Sequence, residues 1–428
     1  MTPDEHVAAG LATAMLAGAW TRPDLIARTK AALGRRTAPK WQATLVDQIL
    51  DAYRDAPTDR PRELAAYLQT RPAWRLARQH RRPLRIVEWT PVPTTLATRP
   101  WPVVELPDLA ALARLFDIDQ GELAWFADNR LLQRSVPEPL RHYRWTALPK
   151  RDGARLVAAP KPRLKEIQRR LLRHLLAPIP VHSAAHGSVA GRSVRTAIEP
   201  HVRATTVIRA DLEAYFPSIP AGRIWSLLRT AGLPEAVAYT VTGLVTTVVP
   251  HDIARTQPVE MRQRLAVPHL PQGAPTSPAL ANLVSYSLDR RLAGLASRFD
   301  ARYTRYVDDL TFSGPSLRNA RSRFVKHVDD IVQDEGFRLN DRKTVVLGDA
   351  GRQALLGAVV NDHPTIPRPE RDALRALLHN CAVHGWRSQA RGRERFPEYV
   401  LGRISWVAGL DPTLGAKLRS GYDSIDWT

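Results

Sequence analysis

The chain has 428 residues, a net charge of +20 and a pI near 10.7, which allows two or three domains around a large core and favours polyanionic partners, nucleic acid first. Its one cysteine, Cys381, excludes internal disulfides and Cys-based zinc sites and fits a reducing cytoplasm. No apolar run is long enough to span a membrane, and the first residues lack a signal-peptide pattern, so the expected location is cytoplasmic with no membrane partner.

Residues 1–83 predict a helical extension, with helical apolar spacing in Ala43–Leu50 and Leu64–Leu68. It ends in a basic stretch, Arg75 to Arg82, that suits either structured RNA or plain solvation. A Pro-rich linker is expected over 84–107. A helical lead-in follows over 108–141, where Asp108 caps a helix with Leu109, Leu112 and Leu115 on one face. Lys150 and Arg155 flank a Gly-containing turn. Thr206-Val207-Ile208-Arg209-Ala210-Asp211 is a β-rich run ending in a carboxylate, and the aromatic block Tyr215-Phe216-Pro217 follows it. Gln272-Gly273 sits before Pro275 and Pro278, a stiff loop whose glycine permits close approach of a ligand. Tyr303 to Phe312 reads as strand, tight turn, strand, with Asp308 and Asp309 at the tip. Toward the C-terminus, Ala373, Leu374, Leu377 and Leu378 carry a helical period, and a basic loop runs from Arg387 to Arg395.

The acids carry the chemistry. Two adjacent carboxylates at a rigid turn repel unless a cation lies between them. Mg²⁺ takes hard oxygen ligands shared between carboxylates and substrate phosphate. Taken alone, an Asp-Asp pair such as Asp308-Asp309 is more often a solvated turn, and a lone acid such as Asp211 more often a strand-end acid or helix cap. Together they supply what a two-metal phosphoryl-transfer site needs: carboxylates from separate strands converging on both ions.

From Trp145 to about Trp427 the chain resembles reverse transcriptases, and more narrowly the bacterial retron-type enzymes. The resemblance lies in ordered blocks: Leu148–Arg155 with Ala159-Pro160-Lys161 and Ile167-Gln168-Arg169; His186–Ser193; Asp211–Ile219; Leu270–Pro278 followed by Asn282; Tyr306–Asp309; Gly336–Asn340 with Lys343; and Leu356-Gly357. It implies an α+β right-hand polymerase, with fingers and palm over 142–348 and a primer-grip turn and RNA-binding helical thumb over 349–428. The implied catalytic and metal residues are Asp211, Asp308 and Asp309, holding two Mg²⁺ ions with Mn²⁺ as the alternative. Lys343 is either the proton donor to pyrophosphate or a solvated strand-end lysine. Lys150, Arg155, Phe216, Gln272 and Gly273 would contact the incoming dNTP, Phe216 as the gate against a ribose 2′-hydroxyl. Tyr306, Leu356 and Gly357 would meet primer and template.

The implied activity is RNA-directed DNA synthesis on a small structured non-coding RNA. Its product would be branched RNA–DNA (msDNA) primed from a 2′-hydroxyl, in an antiphage system with an effector protein as a further partner. Two features depart from the retron pattern. Leu355-Leu356-Gly357 stands where a Val-Thr-Gly triplet is usual, and no clear Asn-Ala-x-x-His occurs between the catalytic blocks, although Val241-Thr242-Gly243 lies there. An abortive-infection reverse transcriptase, a group II intron maturase and a non-catalytic RNA-binding relic are the alternatives. The maturase would need a Cys/His-bearing tail that this sequence lacks.

Overall fold

A computed structural model describes residues 2–57, 60–79, 83–87, 101, 104–150 and 153–427, with the side chains of Lys150, Gly153, Ala154 and Glu260 excepted. Most of the linker over 84–107, and His80, Arg81 and Arg82 of the basic stretch, lie outside the described residues. The chain forms two compact units that follow space rather than chain order. The first takes residues 1–154, 158–179 and 221–258; the second takes 155–157, 180–220 and 259–428.

The first unit begins with the helices Pro3–Leu16, Arg22–Ala32, Lys40–Ala52, Pro61–Thr70 and Pro72–Arg78. Their apolar stripes close a core of their own around Leu11, Met15, Leu25, Val46, Ile49, Leu64 and Leu68. Each stripe recurs at helical spacing, so burial on one face stabilises helices too short to stand alone. This bundle is tied to the helix Glu235–Val245 through Arg62. The Arg62 backbone N–H donates to Glu235 at 3.2 Å, and its guanidinium stacks on the Tyr239 ring at 3.8 Å. Asp108 caps the helix Leu109–Phe116 by accepting from Ala111 N–H at 2.7 Å, as its position predicts. Strands β1 (Tyr143–Lys150) and β2 (Gly153–Pro160) form a two-stranded ribbon, whose residues 155–157 group with the second unit. After it, the wholly buried Gln168 donates to both Tyr143 Oη and the Leu244 carbonyl at 2.9 Å. Gly243 has a local reason of its own. A Cβ there would run into the Ala127 carbonyl, so the Val241-Thr242-Gly243 triplet is a helix-packing feature.

The second unit holds a four-stranded antiparallel sheet of β3 (Thr206–Asp211), β4 (Arg302–Tyr306), β5 (Asp309–Ser313) and β6 (Val345–Gly348), in the order β4-β5-β3-β6. The buried His201 ties two of these strands together, with Ser313 Oγ 2.7 Å from Nδ1 and Thr304 Oγ1 2.8 Å from Nε2. Burial pushes its imidazole down to about 3, so the ring is neutral at physiological pH. A short hairpin, β7 (Ala354–Leu355) and β8 (Ala358–Val359), turns at Leu356-Gly357, both with positive φ of 50° and 87°. The helices Arg368–His384, which the period of Ala373 to Leu378 predicts, Trp386–Ala390 and Phe396–Leu410 follow, so the first residues of the expected basic loop, 387–390, are helical instead. One more helix, Pro412–Asp423, follows Phe396–Leu410. Trp386 packs against Phe396 and Trp427 at centroid distances of 6.5 and 6.4 Å. Among the described residues no helix is long and apolar enough to cross a membrane.

Candidate active site

Strand pairing gathers the acids. In the β3–β5 ladder Asp211 is the direct partner of Asp309, and in the β4–β5 ladder Tyr306 is. That leaves Val307-Asp308 as the two-residue loop of the hairpin, the strand–turn–strand that its flanking residues predict. The Asp308 carbonyl accepts from Leu212 N–H at 2.9 Å, which ties the loop to the end of β3. Val307 has φ of 58°, a left-handed backbone on a β-branched residue. Such a conformation costs about 1–3 kcal/mol and persists only where the surroundings enforce it.

The β3–β6 ladder ends at Arg209 and Val345, and the 3-10 turn Asp341–Lys343 just before β6 brings Lys343 to Asp211. The Lys343 ammonium donates to both Asp211 carboxylate oxygens, at 2.9 and 2.8 Å. Asn340 N–H donates to the Asp211 backbone carbonyl at 2.8 Å. Asp211 itself is buried. Burial first, then the charges of Asp308 and Asp211, push the Asp309 carboxyl up to about 6. Asp308 is also raised, by burial first and then by Asp211; Lys343 and Arg155 oppose the rise. Arg155, exposed on β2, is therefore near enough to act on the acidic site.

The other expected contact residues fall on two segments near the acids, on β1 and on one separate hairpin. Phe216 is half-buried, its ring 5.5 Å from that of Tyr215. Leu270 N–H donates to the Ile219 carbonyl at 3.1 Å, which pins the Gln272-Gly273 loop to the segment carrying Phe216. Gly273 is exposed with φ of 123°, a conformation open to glycine alone at little cost, and the following helix starts at Ser277. Lys150 ends β1, but its side chain lies outside the described residues. Leu356 and Gly357 make the β7–β8 turn.

Among the described residues no three His, Cys, Asp or Glu side chains form a ready-made metal cage. The donor set nevertheless fits a hard divalent cation. Three carboxylates meet at one sheet end, two of them hold their protons more tightly than usual because they are buried and lie beside other carboxylates, and Asp211 already takes a cation on both oxygens. Residues that the sequence reading left without a role also converge here. Arg305 and Asp289 form a wholly buried ion pair that reaches the Val307 carbonyl. A charge inside the β-prone run Tyr303–Phe312 was the available signal.

Residues 147–360 match the family model described as reverse transcriptase (RNA-dependent DNA polymerase). The chain is 38% identical over 338 residues to Retron Mx65 reverse transcriptase of Myxococcus xanthus, covering 73% of this chain and 74% of that protein. It is 36% identical over 341 residues to Retron Mx162 reverse transcriptase of the same organism, covering 76% and 68%. Retron Ec86 reverse transcriptase of Escherichia coli is 28% identical over 261 residues, covering 60% and 72%. The blocks Asp211–Ile219, Tyr306–Asp309 and Gly336–Asn340 with Lys343 fall on the elements that build this acidic sheet end, and the chain belongs to the retron-type reverse transcriptases, which are RNA-directed DNA polymerases.

Proposed function

We propose that this enzyme copies a small structured RNA into DNA at the sheet end formed by Asp211, Asp308 and Asp309. The reading rests on one observation: β-ladder register sets Asp211 opposite Asp309, with Asp308 in the loop tied back to Leu212. These three carboxylates would hold two divalent ions, Mg²⁺ first. Such ions lower the pKa of a primer hydroxyl and neutralise charge on the phosphates. Arg155, with Lys150 across the ribbon, would draw the triphosphate in by charge. Phe216, five residues past Asp211, would exclude a ribose 2′-hydroxyl, and the Gln272-Gly273 loop would lie under the new base pair. Lys343, already at the site, would deliver a proton toward the leaving pyrophosphate.

The palm in this reading is the four-stranded sheet, the fingers the β1–β2 ribbon, and the thumb the C-terminal helices. The thumb carries the exposed Tyr399 and Trp406 with the half-buried Arg403 between them in sequence, a set suited to an RNA hairpin and its unpaired bases. The product would be branched RNA–DNA primed from a 2′-hydroxyl, and the biological setting phage defence with an effector partner. The Asp308→Asn, Asp309→Asn double variant should lose primer extension and keep RNA binding. A double variant that still polymerises sinks the site assignment. Sequencing nucleic acid co-purified with the protein should recover a short covalent RNA–DNA hybrid, and recovery of unlinked RNA and DNA alone would count against the branched product.

A further inference from the structure

We propose that Arg305 is the positioning residue for the catalytic loop: its buried guanidinium fixes the backbone from which Asp308 and Asp309 project. The proposal rests on the reading of those two acids as catalytic. Arg305 and Asp289 are both fully buried. Nε and one terminal nitrogen of Arg305 donate to the two Asp289 oxygens, at 2.8 and 2.6 Å. The other terminal nitrogen faces three acceptors: Tyr215 Oη at 3.1 Å, Asn282 Oδ1 at 3.0 Å and the Val307 carbonyl at 3.0 Å. One planar fork thus joins the aromatic block after Asp211, the helix after the Gln-Gly loop and the strained residue of the catalytic turn.

Each partner is itself held. Tyr215 Oη lies 3.1 Å from the Ala281 carbonyl, to which it donates. Tyr303 Oη donates to Asp289 at 2.8 Å. Asn282 Nδ2 donates to the Gly187 carbonyl at 2.9 Å, and Gly187 lies directly against the Val307 backbone. The Arg305 backbone is clamped as well: its N–H donates to Ala184 O at 2.7 Å, and its carbonyl accepts from His186 N–H at 2.8 Å. Val307 is therefore gripped on its carbonyl by Arg305 and bounded on its amide side by Gly187.

Stability alone does not call for this arrangement. An apolar pair of similar volume generally serves a core as well as a buried ion pair. What an apolar pair lacks is a donor for the Val307 carbonyl. Lysine would keep the charge opposite Asp289 but has no planar fork to span both Asp289 and the turn.

The test uses the full chain in RNA-templated primer extension, with circular dichroism, thermal midpoint and RNA binding measured alongside. Arg305→Lys keeps the charge pair. Arg305→Met with Asp289→Leu removes both charges and supplies a neutral core. Misplacing reacting groups by about 1 Å can cost about 100-fold. We expect folded variants whose kcat falls about 10- to 100-fold while the dNTP KM and RNA affinity stay within about 3-fold. Val307→Gly, which adopts positive φ freely, should restore part of the lost kcat when added to the Met/Leu variant. Either variant, folded and turning over at the wild-type kcat, overturns the proposal. So does a loss confined to thermal stability or RNA affinity. The Asp308→Asn, Asp309→Asn protein run in parallel separates the two ideas. If it still extends primers, the catalytic reading fails; if it is dead while the Arg305 variants are fully active, only the positioning role fails.

Discussion

Lys343 lays its ammonium across both carboxylate oxygens of Asp211, at 2.9 and 2.8 Å. Its side chain is half exposed, while that of Asp211 is 10% exposed. The lysine thus occupies a position from which a divalent ion would approach the same oxygens. Two consequences of removing it run in opposite directions.

Lys343→Ala should lower kcat by about 10²-fold or more, the usual worth of a positioned proton donor. It should also tighten divalent-ion binding, because the ion no longer competes with an ammonium for Asp211. Calorimetric titration of Mn²⁺ into the free enzyme reads the second effect without turnover. A variant that binds Mn²⁺ more weakly than wild type would show that Lys343 supports the ion site rather than occupying it.

Asp309 gives the protein an unusual pH response. Its carboxyl stands near 6 in the folded chain against an ordinary value of 3.8, through burial first and then Asp308 and Asp211. Between these values the folded chain holds a proton that the unfolded chain has released. Stability from this group therefore falls as pH rises through that window and stays lower above it. The difference is on the order of 2–3 kcal/mol at most, a shift of several degrees in thermal midpoint. The Asp309→Asn variant should gain on wild type from pH 4 to about 6.5 and run parallel above. Mg²⁺ should raise the wild-type midpoint more at pH 7.5 than at pH 5, since only the ionised carboxylates need it. Equal Mg²⁺ stabilisation at both pH values, measured by scanning fluorimetry, would remove Asp309 as the responsible group.

The polymerase core was legible because its signals are local. Asp211 ends a β-prone run and Asp308-Asp309 sit between two more, so each strand was readable locally, while the pairing of β3 with β5 that brings the acids together was implied by the family resemblance. The turn at Gly273 was likewise written in residue type, while that at Leu356-Gly357 was implied only by the resemblance, since a leucine does not announce a positive φ. The Arg305–Asp289 pair was not. Its two halves lie 16 residues apart on a strand and a helix, and a charge in either place reads as surface until packing buries it. The Lys343–Asp211 contact, 132 residues apart, depends on β6 pairing with β3, and no local pattern specifies that neighbour. The same holds for the bond between Arg62 and Glu235, 173 residues apart, which attaches the N-terminal bundle. Long-range polar contacts are set by topology, and one sequence carries little trace of which charges will meet.

Gly187 offers the sharpest steric test of the catalytic turn. It lacks positive φ, so backbone conformation does not demand glycine there. Close approach does: a Cβ would stand 2.6 Å from Val307 Cγ2, 2.7 Å from Val307 N and 3.3 Å from the Tyr306 carbonyl carbon. The first contact involves a side chain that could rotate, but the other two are backbone and cannot yield separately from the turn. Gly187→Ala should therefore displace the Val307-Asp308 loop and cut kcat by about 10- to 100-fold, with RNA affinity unchanged. Adding Val307→Gly clears only the Cγ2 contact, so it should restore little of the loss, unlike its effect on the Arg305→Met, Asp289→Leu protein. Single-turnover extension by the four proteins reads both comparisons. Full activity in Gly187→Ala, or full rescue by Val307→Gly, would mean that the loop tolerates displacement and that its geometry is not what holds the two acids in place.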